Sequence, residues 1–440
     1  MALNIGRNGI AFRRDDGTTA ILLPGRNGGP GTQIEVPAEI AEAFRLAPGD
    51  IAEGELQPIA PDTTVFRPDA GWEAQADWDT QRDEPHVHSH APSSRVHVDR
   101  PSTHRLVSVT HVNGLSALAA EQTDVADSEA GSRPFPKTQR SRSERTSPDR
   151  WLALATGRGD VTGRTLDFAA PLGAGAFGIL YGPHGAGLTR TLQSVLNGIV
   201  THAPDCVSLV LLLRPRAEEA TEWRRRFPQA DVVVGASAFS ESAPEQTLQL
   251  CDLVLEAAQR QTELGRDVVL LVDSLTALWG TMLEAEDADA QREADISQAR
   301  RRMQEWVRKA GCFHGAGPLG GGLGGSLTLI GTVWHQMVDT EAEEERDLHP
   351  HLRLLEHILP EAGWLAPLSD TLARRRLYPT IDIRRCRSRD EERLLPADSL
   401  ETHLKVRGRL PDRDPLACYL RVQDALDSST DQAELLAALA

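Results

Sequence analysis

Gly182-Pro183-His184-Gly185-Ala186-Gly187-Leu188-Thr189 is the stretch that decides the fold of this chain. It has the spacing of a P-loop, G-x-x-x-x-G-K-[ST], in which glycines let consecutive backbone N–H groups surround the phosphates of a nucleotide. In that motif a lysine reaches the β and γ phosphates and the hydroxyl holds Mg²⁺, and here Leu188 stands at the lysine position. The octet predicts the backbone of a phosphate-binding loop without its main positive charge. A plain glycine-rich turn between a strand and a helix is the alternative that the octet alone leaves open.

The flanking sequence favours a P-loop. Residues 177–181 are apolar and predict a strand, and the segment from Thr191 onward predicts the helix behind the loop. Arg190 is a poor substitute for the lysine, because two residues further along a helix point about 200° around its axis. The candidate nucleotide-binding residues in the loop are Gly182, Gly185, Gly187 and Thr189.

A second motif supports the first. Residues 267–273 form an apolar run that ends in an acid, the Walker B pattern, in which the aspartate lies beside the Mg²⁺ of a P-loop site. Asp273 therefore joins the candidate nucleotide site, and Thr189 with Asp273 is the candidate Mg²⁺ pair. A helix-start hydroxyl and a strand-end acid without any ligand remain the alternative for these two residues. Together the two motifs predict a nucleoside-triphosphatase fold.

Length and composition place the chain among globular proteins. With 440 residues it can form two or three domains with sizeable cores. No apolar run approaches the roughly 18 to 20 residues of a membrane span, and the N-terminus lacks a basic segment followed by an apolar one, so we expect a cytoplasmic protein with no membrane partner. The formal net charge of −17 repels polyanions, so contact with nucleic acid requires local basic patches. The five cysteines are scattered singly, which favours reduced structural thiols over disulfides or zinc.

The chain divides by composition into five parts. Short alternating apolar runs separated by turns predict a small β-domain, and alternating strand and helix patterns predict a mostly parallel sheet with crossovers. A polar insertion rich in Asp, Pro and His interrupts the β-domain, and a polar linker follows it. The predicted limits are 1–61 with 102–115 for the β-domain, 62–101 for the insertion, 116–150 for the linker, 151–412 for the strand–helix region and 413–440 for a C-terminal helical segment.

Alternating histidines mark the insertion. His86, His88 and His90 fall on one side of an extended chain and, with His97, offer a set of metal ligands. The region is polar and has no cysteine ligand, so a solvated linker is the favoured interpretation.

Further segments match one family in the same order along the chain. They are residues 33–37, 46–50, 165–173, 204–207, 218–222, 273–276, 324–330 and 377–382. With the P-loop, they make the chain resemble the bacterial transcription termination factor Rho, a family of hexameric ATPases that translocate along RNA. The resemblance implies an α/β fold, with a RecA-like P-loop domain on a mostly parallel sheet preceded by a small OB-fold-like β-barrel domain. It also implies ATP and Mg²⁺ as cofactors, single-stranded RNA as ligand, a homo-hexamer or a mixed ring with an active Rho subunit, and RNA polymerase as a partner.

Three positions depart from the family pattern, and all three carry catalytic charge in the family. Leu188 replaces the P-loop lysine, and Pro215 falls where the resemblance places the glutamate that orients the attacking water. Proline has neither a carboxylate nor an N–H to offer a water. Asp370 falls where an arginine is expected to reach into the neighbouring subunit's site, and a carboxylate there would repel a γ-phosphate. The resemblance thus predicts a degenerate catalytic centre.

The candidate RNA-binding residues are sparse. In the family, bases stack on aromatic residues of the N-terminal fold, and here Phe12 is the one aromatic left of the expected pair, with Arg14 as a nearby phosphate contact. A loop that faces the ring channel in the family carries an acidic run at 284–289. The following basic residues Arg300, Arg301 and Arg302 are better candidates, although a solvated helix face is the alternative.

Three hypotheses for function follow. The first is a Rho-like, RNA-binding ring protein whose ATP hydrolysis is impaired or lost, and which has a regulatory or binding role. The second is an active ATP-dependent RNA translocase that takes its missing charges from elsewhere, for example Arg190, Arg214 or Arg216. The third is a structural assembly protein with no ligand.

Overall fold

The structure is a computed structural model that describes two large β-sheets, a separate two-stranded pair and the helices around them. The described residues are 3–5, 9–14, 18–23, 32–44, 46, 50–59, 104–112, 115–116, 144–235, 244–263, 265–285, 293–314, 325–335, 350–411 and 414–440. The predicted insertion and its four histidines lie outside these ranges.

The N-terminal sheet has seven strands in the order β1-β5-β6-β4-β3-β2, with β7 paired to β6. Its elements are β1 Leu3–Ile5, β2 Ile10–Arg13, β3 Thr19–Leu23, β4 Thr32–Glu35, helix α1 Ala38–Ala43, β5 Ala52–Pro58, β6 His104–Val112 and β7 Leu115–Ser116. An antiparallel bridge between Ile10 and Ile51 joins the start of β2 to the residue before β5, which closes five of the strands into a ring. β4 and β6 are parallel, whereas the other pairs are antiparallel. A closed five-stranded ring is compatible with an OB-type barrel, and that assignment stays a prediction.

The larger sheet has six parallel strands in the order β13-β12-β14-β16-β11-β17, as the alternating strand and helix patterns predict. These strands are β11 Phe177–Pro183, β12 Val207–Leu212, β13 Asp231–Val234, β14 Asp267–Asp273, β16 Ser326–His335 and β17 Trp364–Pro367. Three short antiparallel strands extend it, namely β8 Glu144–Thr146, β15 Gly311–His314 and β18 Arg387–Ser388, while β9 Trp151–Leu152 and β10 Leu172–Gly173 form a separate pair. The expected α/β class with a mostly parallel sheet is confirmed.

Helices cover both faces of the larger sheet. They are α2 Val161–Ala169, α3 Leu188–His202, α4 Ala217–Arg226, α5 Pro244–Glu263, α6 Leu275–Ala285, α7 Glu293–Val307, α8 Pro350–Ile358, α9 Asp370–Arg374, α10 Glu391–Leu394, α11 Ala397–Arg409, α12 Pro415–Ser428 and α13 Gln432–Leu439, with 3₁₀ turns at Leu359–Glu361 and Ile383–Arg385. Along β14, Val269 and Leu271 point into one core with α3 and the C-terminal helices, whereas Leu270 and Val272 point into a second core with α5 to α8. A strand buried on both faces is expected to be apolar throughout its interior, as residues 268–272 of β14 are. None of the described helices is long and apolar enough to cross a membrane.

Two observations bear on the predicted domain limits. Strand β8 lies inside the predicted linker, yet it pairs with β15 of the larger sheet through Thr146 and Cys312. Helices α12 and α13 of the predicted C-terminal segment contribute Val422 and Leu435 to the first core. Strand β8 and helices α12 and α13 therefore pack with the larger sheet, and the domain limits stay a prediction. The five cysteines all fall within the described residues, and each is a free thiol.

Candidate nucleotide-binding site

The loop between β11 and α3 has the backbone shape that its glycines predict. Gly185 and Gly187 have φ of 83° and 95°, in the left-handed region that suits glycine. Glycine is needed at position 182 because the backbone of β11 lies close to Leu368 there. A Cβ on Gly182 would lie 2.8 Å from the Cβ of Leu368. Helix α3 begins at Leu188, three residues before the predicted start, so its first N–H groups face the loop. Free N–H groups at a helix N-terminus, together with the turn before them, form an anion-binding shape.

The two candidate Mg²⁺ residues meet beside this loop. Thr189 Oγ1 donates a hydrogen bond of 2.7 Å to Asp273 Oδ2, although the two residues are 84 positions apart. A third residue, Thr332 on the intervening strand β16, donates from Oγ1 to Asp273 Oδ1 at 2.6 Å. The site forms because parallel strands end at the same edge of the sheet. A carboxylate beside a helix-start hydroxyl is an oxygen donor pair that fits Mg²⁺.

The surroundings of Asp273 disfavour the ionised form of its carboxyl group. Burial raises the pKa of the Asp273 carboxyl, the two threonine hydroxyls oppose that rise, and the negative charge of Glu219 adds to it. The site thus carries a carboxylate that a bound cation would stabilise. Among the described residues, no group of three or more His, Cys, Asp and Glu side chains forms a protein-only metal site. A cation here would need further oxygen ligands from a nucleotide or from water.

The first residue of α3 presents no charge to the loop. Leu188 is partly buried and packs against the first core, whose members include Ala186 and Leu192. Arg190 is exposed on the helix. The loop therefore keeps its amide groups and its hydroxyl, while the position that holds a cationic side chain in the motif is occupied by an aliphatic one.

The segment after β12 has Pro215 at the position to which the resemblance assigns a water-orienting glutamate. Pro215 is buried between two arginines, and Arg214 has a φ of 54° and pairs with Glu284. Arg216 is the N-cap residue directly before α4, and its N–H donates to Glu219 Oε2 at 3.0 Å. Arg214 thus has a carboxylate partner of its own.

Asp370 is the first residue of α9 and follows β17. Its Oδ2 accepts a hydrogen bond of 2.7 Å from Nε of Arg374 in the same short helix. Its Oδ1 is buried and has no hydrogen-bond partner among the residues that the structure describes. The role that the resemblance gives to this position concerns a neighbouring subunit and stays a prediction.

Sequence reasoning missed two residues of the site, Thr332 and Tyr378. The ring of Tyr378 is 54% exposed and lies close to the loop, since a Cβ on Gly187 would be 3.8 Å from it. Its backbone carbonyl accepts a hydrogen bond of 3.0 Å from the hydroxyl of Tyr419 on α12. An exposed aromatic face beside a phosphate-type loop offers a stacking surface for a base. Tyr378 lies in a segment that carries the family resemblance, but its position over the loop depends on the tertiary fold.

The candidate RNA-binding residues lie on separate elements. Phe12 on β2 is partly buried and packs against the second core, and Arg14 follows the same strand. Arg300 and Arg301 are exposed on α7. Arg302 is half-buried and forms an ion pair of 2.7 Å with Asp252. Of the five, only Arg300 and Arg301 have the exposure expected of free phosphate contacts.

Comparison with known proteins identifies relatives of one kind. The chain is 33% identical over 265 residues to the transcription termination factor Rho of Buchnera aphidicola, which covers 57% of this chain and 56% of the relative. It is 32% identical over 275 residues to that of Bacillus subtilis, covering 61% and 59%. It is 30% identical over 303 residues to that of Allochromatium vinosum, covering 66% and 65%. The matches span less than two thirds of these relatives' length, and no family model matches the chain.

A solved structure agrees with the fold. An ATPase from the type III secretion system of pathogenic bacteria superposes with a TM-score of 0.51 at 16% identity, over 71% of this chain and 92% of that one. At such low identity the likeness concerns the fold alone, which is that of a RecA-like P-loop ATPase. The curated relatives above carry one name, so over 57 to 66% of its length the chain is similar to the transcription termination factor Rho.

Proposed function

We propose that this chain is a cytoplasmic, RNA-binding ring protein of the Rho type that binds ATP and Mg²⁺ weakly and hydrolyses ATP slowly or not at all. Its role would then be regulatory, either as a homo-hexamer or within a mixed ring with an active Rho subunit, with RNA polymerase as a further partner. The observation that carries the proposal is Leu188, whose side chain packs against the core where a P-loop needs a cation.

The size of the lost effects supports impaired hydrolysis. An arginine reaching in from a neighbouring subunit is worth about 10³ to 10⁵ in rate in enzymes of this kind. Losing the lysine and the water-orienting carboxylate removes further electrostatic and orientation contributions. These losses need not add, because such groups act as a unit. One of them alone leaves hydrolysis very slow.

Weak nucleotide binding is still supported by the residues that remain. The loop amides, the Thr189 hydroxyl and the Asp273 carboxylate keep the oxygen and N–H groups that hold phosphate and Mg²⁺. Their part is binding and orientation, and a bound Mg²⁺ would supply charge neutralisation for the phosphates.

The alternative of an active translocase has little support among the described arginines. Arg214 forms an ion pair with Glu284. Arg190 is exposed in the first turn of α3. Neither replaces a lysine at the first position of the helix.

The test is RNA-stimulated ATP hydrolysis by the purified chain, beside Leu188→Lys with Pro215→Glu. We expect no RNA-stimulated turnover from the unmodified chain, whereas turnover near one per second, ordinary for an enzyme, would contradict the proposal. ATP binding is read separately from the shift in thermal unfolding midpoint with Mg²⁺–ATP. Leu188→Lys alone should tighten ATP binding about ten- to a hundredfold, since a hydrogen bond to a charged group contributes about 1.5 to 3 kcal/mol.

Leu188→Met is the matched control, because it keeps an apolar side chain of similar volume. It should leave ATP binding unchanged. If neither the unmodified chain nor Leu188→Lys is stabilised by Mg²⁺–ATP, the loop is not a nucleotide site and the ligand-free assembly role takes its place.

A further inference from the structure

The outward face of the β2–β3 hairpin is covered by the larger domain. Ile10 and Phe12 alternate with Ala11, so they share the face opposite to the barrel interior, where Ala11 lies. Leu22 pairs with Ile10 across the two strands, and Ile51 bridges it on the other side. Ile10 is only 5% exposed, and Phe12, Leu22 and Ile51 pack partly buried against the same cluster.

The surface opposite this face is helix α5. β2 lies against α5, whose Leu248, Val254 and Ala258 belong to the cluster that contains Ile10. The contact is therefore continuous with the second core of the larger sheet and is not a thin surface contact. An apolar strand face of this kind loses water only when it meets another apolar surface.

A buried cluster of three charged side chains, Arg260, Asp50 and Glu263, lies at the end of the same interface. Arg260 of α5 lies with its Nε 3.3 Å from Oδ1 of Asp50 in the N-terminal domain and its Nη1 2.8 Å from Oε2 of Glu263. Asp50 is 4% exposed and Arg260 is 7% exposed. The backbone of Asp50 is also fixed, because its carbonyl accepts from the N–H of Ala11 at 2.7 Å. Losing one partner of a buried ion pair strongly destabilises a protein, because it leaves a buried charge unpaired. The pair of Arg260 and Asp50 therefore favours one arrangement of the two domains.

We propose that the outward face of the β2–β3 hairpin is a permanent docking surface for α5 and not a nucleic-acid site. Phe12, the residue that the family resemblance suggests for base stacking, then serves as a domain contact. Single-stranded RNA would bind other surfaces of the chain, such as the exposed arginines of α7. The part of this inference that concerns RNA rests on the proposed function. The docking of the hairpin on α5 does not depend on RNA binding.

The test compares Phe12→Ala with the unmodified chain in two measurements. The first is thermal unfolding, and the second is affinity for a fluorescently labelled oligocytidylate at low salt. We expect the midpoint of unfolding to fall by a few degrees, because a packed aromatic side chain is lost. The RNA affinity should stay within about twofold. A loss of roughly 5- to 150-fold in RNA affinity without loss of stability is what removal of a stacking platform would give, and it would overturn the proposal.

Val107→Ala is the matched control, since Val107 is 51% exposed on β6 of the same domain. It should change neither measurement. Arg260→Glu then tests whether the docking is permanent, because it places a negative charge against Asp50 and Glu263. An increase in RNA affinity in this variant would mean that α5 merely covers a working RNA site, which contradicts the proposal.

RNA binding and docking can fail independently. If the unmodified chain binds no RNA at all, the proposed function fails, and the docking is still decided by hydrogen exchange. Under the proposal the amides of β2 are protected in the unmodified chain and lose protection in Arg260→Glu. Equal, fast exchange of these amides in both proteins would show that the interface does not form.

Discussion

At residue 273 the site keeps an acid whose charged form the ligand-free protein disfavours. Burial raises the pKa of Asp273 above that of an aspartate in the unfolded chain, and Glu219 acts in the same direction. A raised folded-state pKa means that the contribution of the carboxyl to stability is favourable below the unfolded pKa and is lost as the pH rises through the folded one. Residues kept against stability in this way are typical of binding sites.

Asp273→Asn should therefore raise the thermal unfolding midpoint of the ligand-free chain. The amide can still accept from Thr332 Oγ1 and can donate to Thr189 Oγ1, so both hydrogen bonds survive while the buried charge is removed. The gain should be larger at about pH 8 than at about pH 5, because the carboxyl is ionised over more of the population at the higher pH. Differential scanning calorimetry at the two pH values measures it.

Thr332→Val is the control for this prediction. Thr332 is fully buried, and the variant removes a hydrogen-bond donor while Asp273 itself stays in place. It should lower stability by about 1 to 3 kcal/mol. If Asp273→Asn were destabilising to a similar degree, the interpretation of Asp273 as an unfavourable buried charge would be wrong.

At the scale of elements, local sequence patterns predicted where strands and motifs lie, but not which tertiary contacts these elements make. The strand limits Asp267–Asp273 are confirmed, because an apolar run that ends in an acid is a local signal. Helix α3 starts earlier than predicted since Gly187, with φ of 95°, ends the loop directly before Leu188. Thr332 could not be found from the sequence, because its role depends on the register of β14 and β16. Nor does any local pattern say that the outward face of β2 meets α5.

Two glycines on neighbouring elements test how tightly α6 packs on the sheet. A Cβ on Gly331 of β16 would lie 2.3 Å from Cγ of the buried Leu275, whereas a Cβ on Gly280 in α6 meets no atom within 4 Å among the described residues. Gly331→Ala should therefore destabilise the chain by about 1 to 3 kcal/mol through overpacking. Gly280→Ala should stabilise it by about 0.5 to 1 kcal/mol, because alanine loses less conformational freedom in a helix.

Chemical denaturation of the two variants measures both effects. If the two Gly→Ala changes shift the free energy of unfolding in opposite directions, the tight contact lies at the start of α6. Equal effects would mean that the β16–α6 contact is looser than the structure has it.

At the scale of the whole molecule, the net charge of −17 acts on assembly and on RNA binding in opposite directions. Subunits of like charge repel one another, and salt screens that repulsion within a Debye length of about 10 Å at 0.1 M. Contacts between arginines and phosphates release counterions, so salt weakens them. The same change in ionic strength thus separates the two proposed properties.

Raising the salt from about 50 to about 200 mM should strengthen self-association and weaken RNA binding. Light scattering coupled to size-exclusion chromatography measures the first, and fluorescence anisotropy with a labelled oligonucleotide measures the second. The slope of log affinity against log salt counts the phosphate contacts at roughly 0.7 per contact for a single strand. Arg300→Gln with Arg301→Gln should lower that slope if the exposed face of α7 binds the phosphates, while the salt dependence of assembly stays as it was. A slope near zero in the unmodified chain would mean that arginine–phosphate contacts do not hold the RNA, and the exposed basic face of α7 would then be a solvated helix surface.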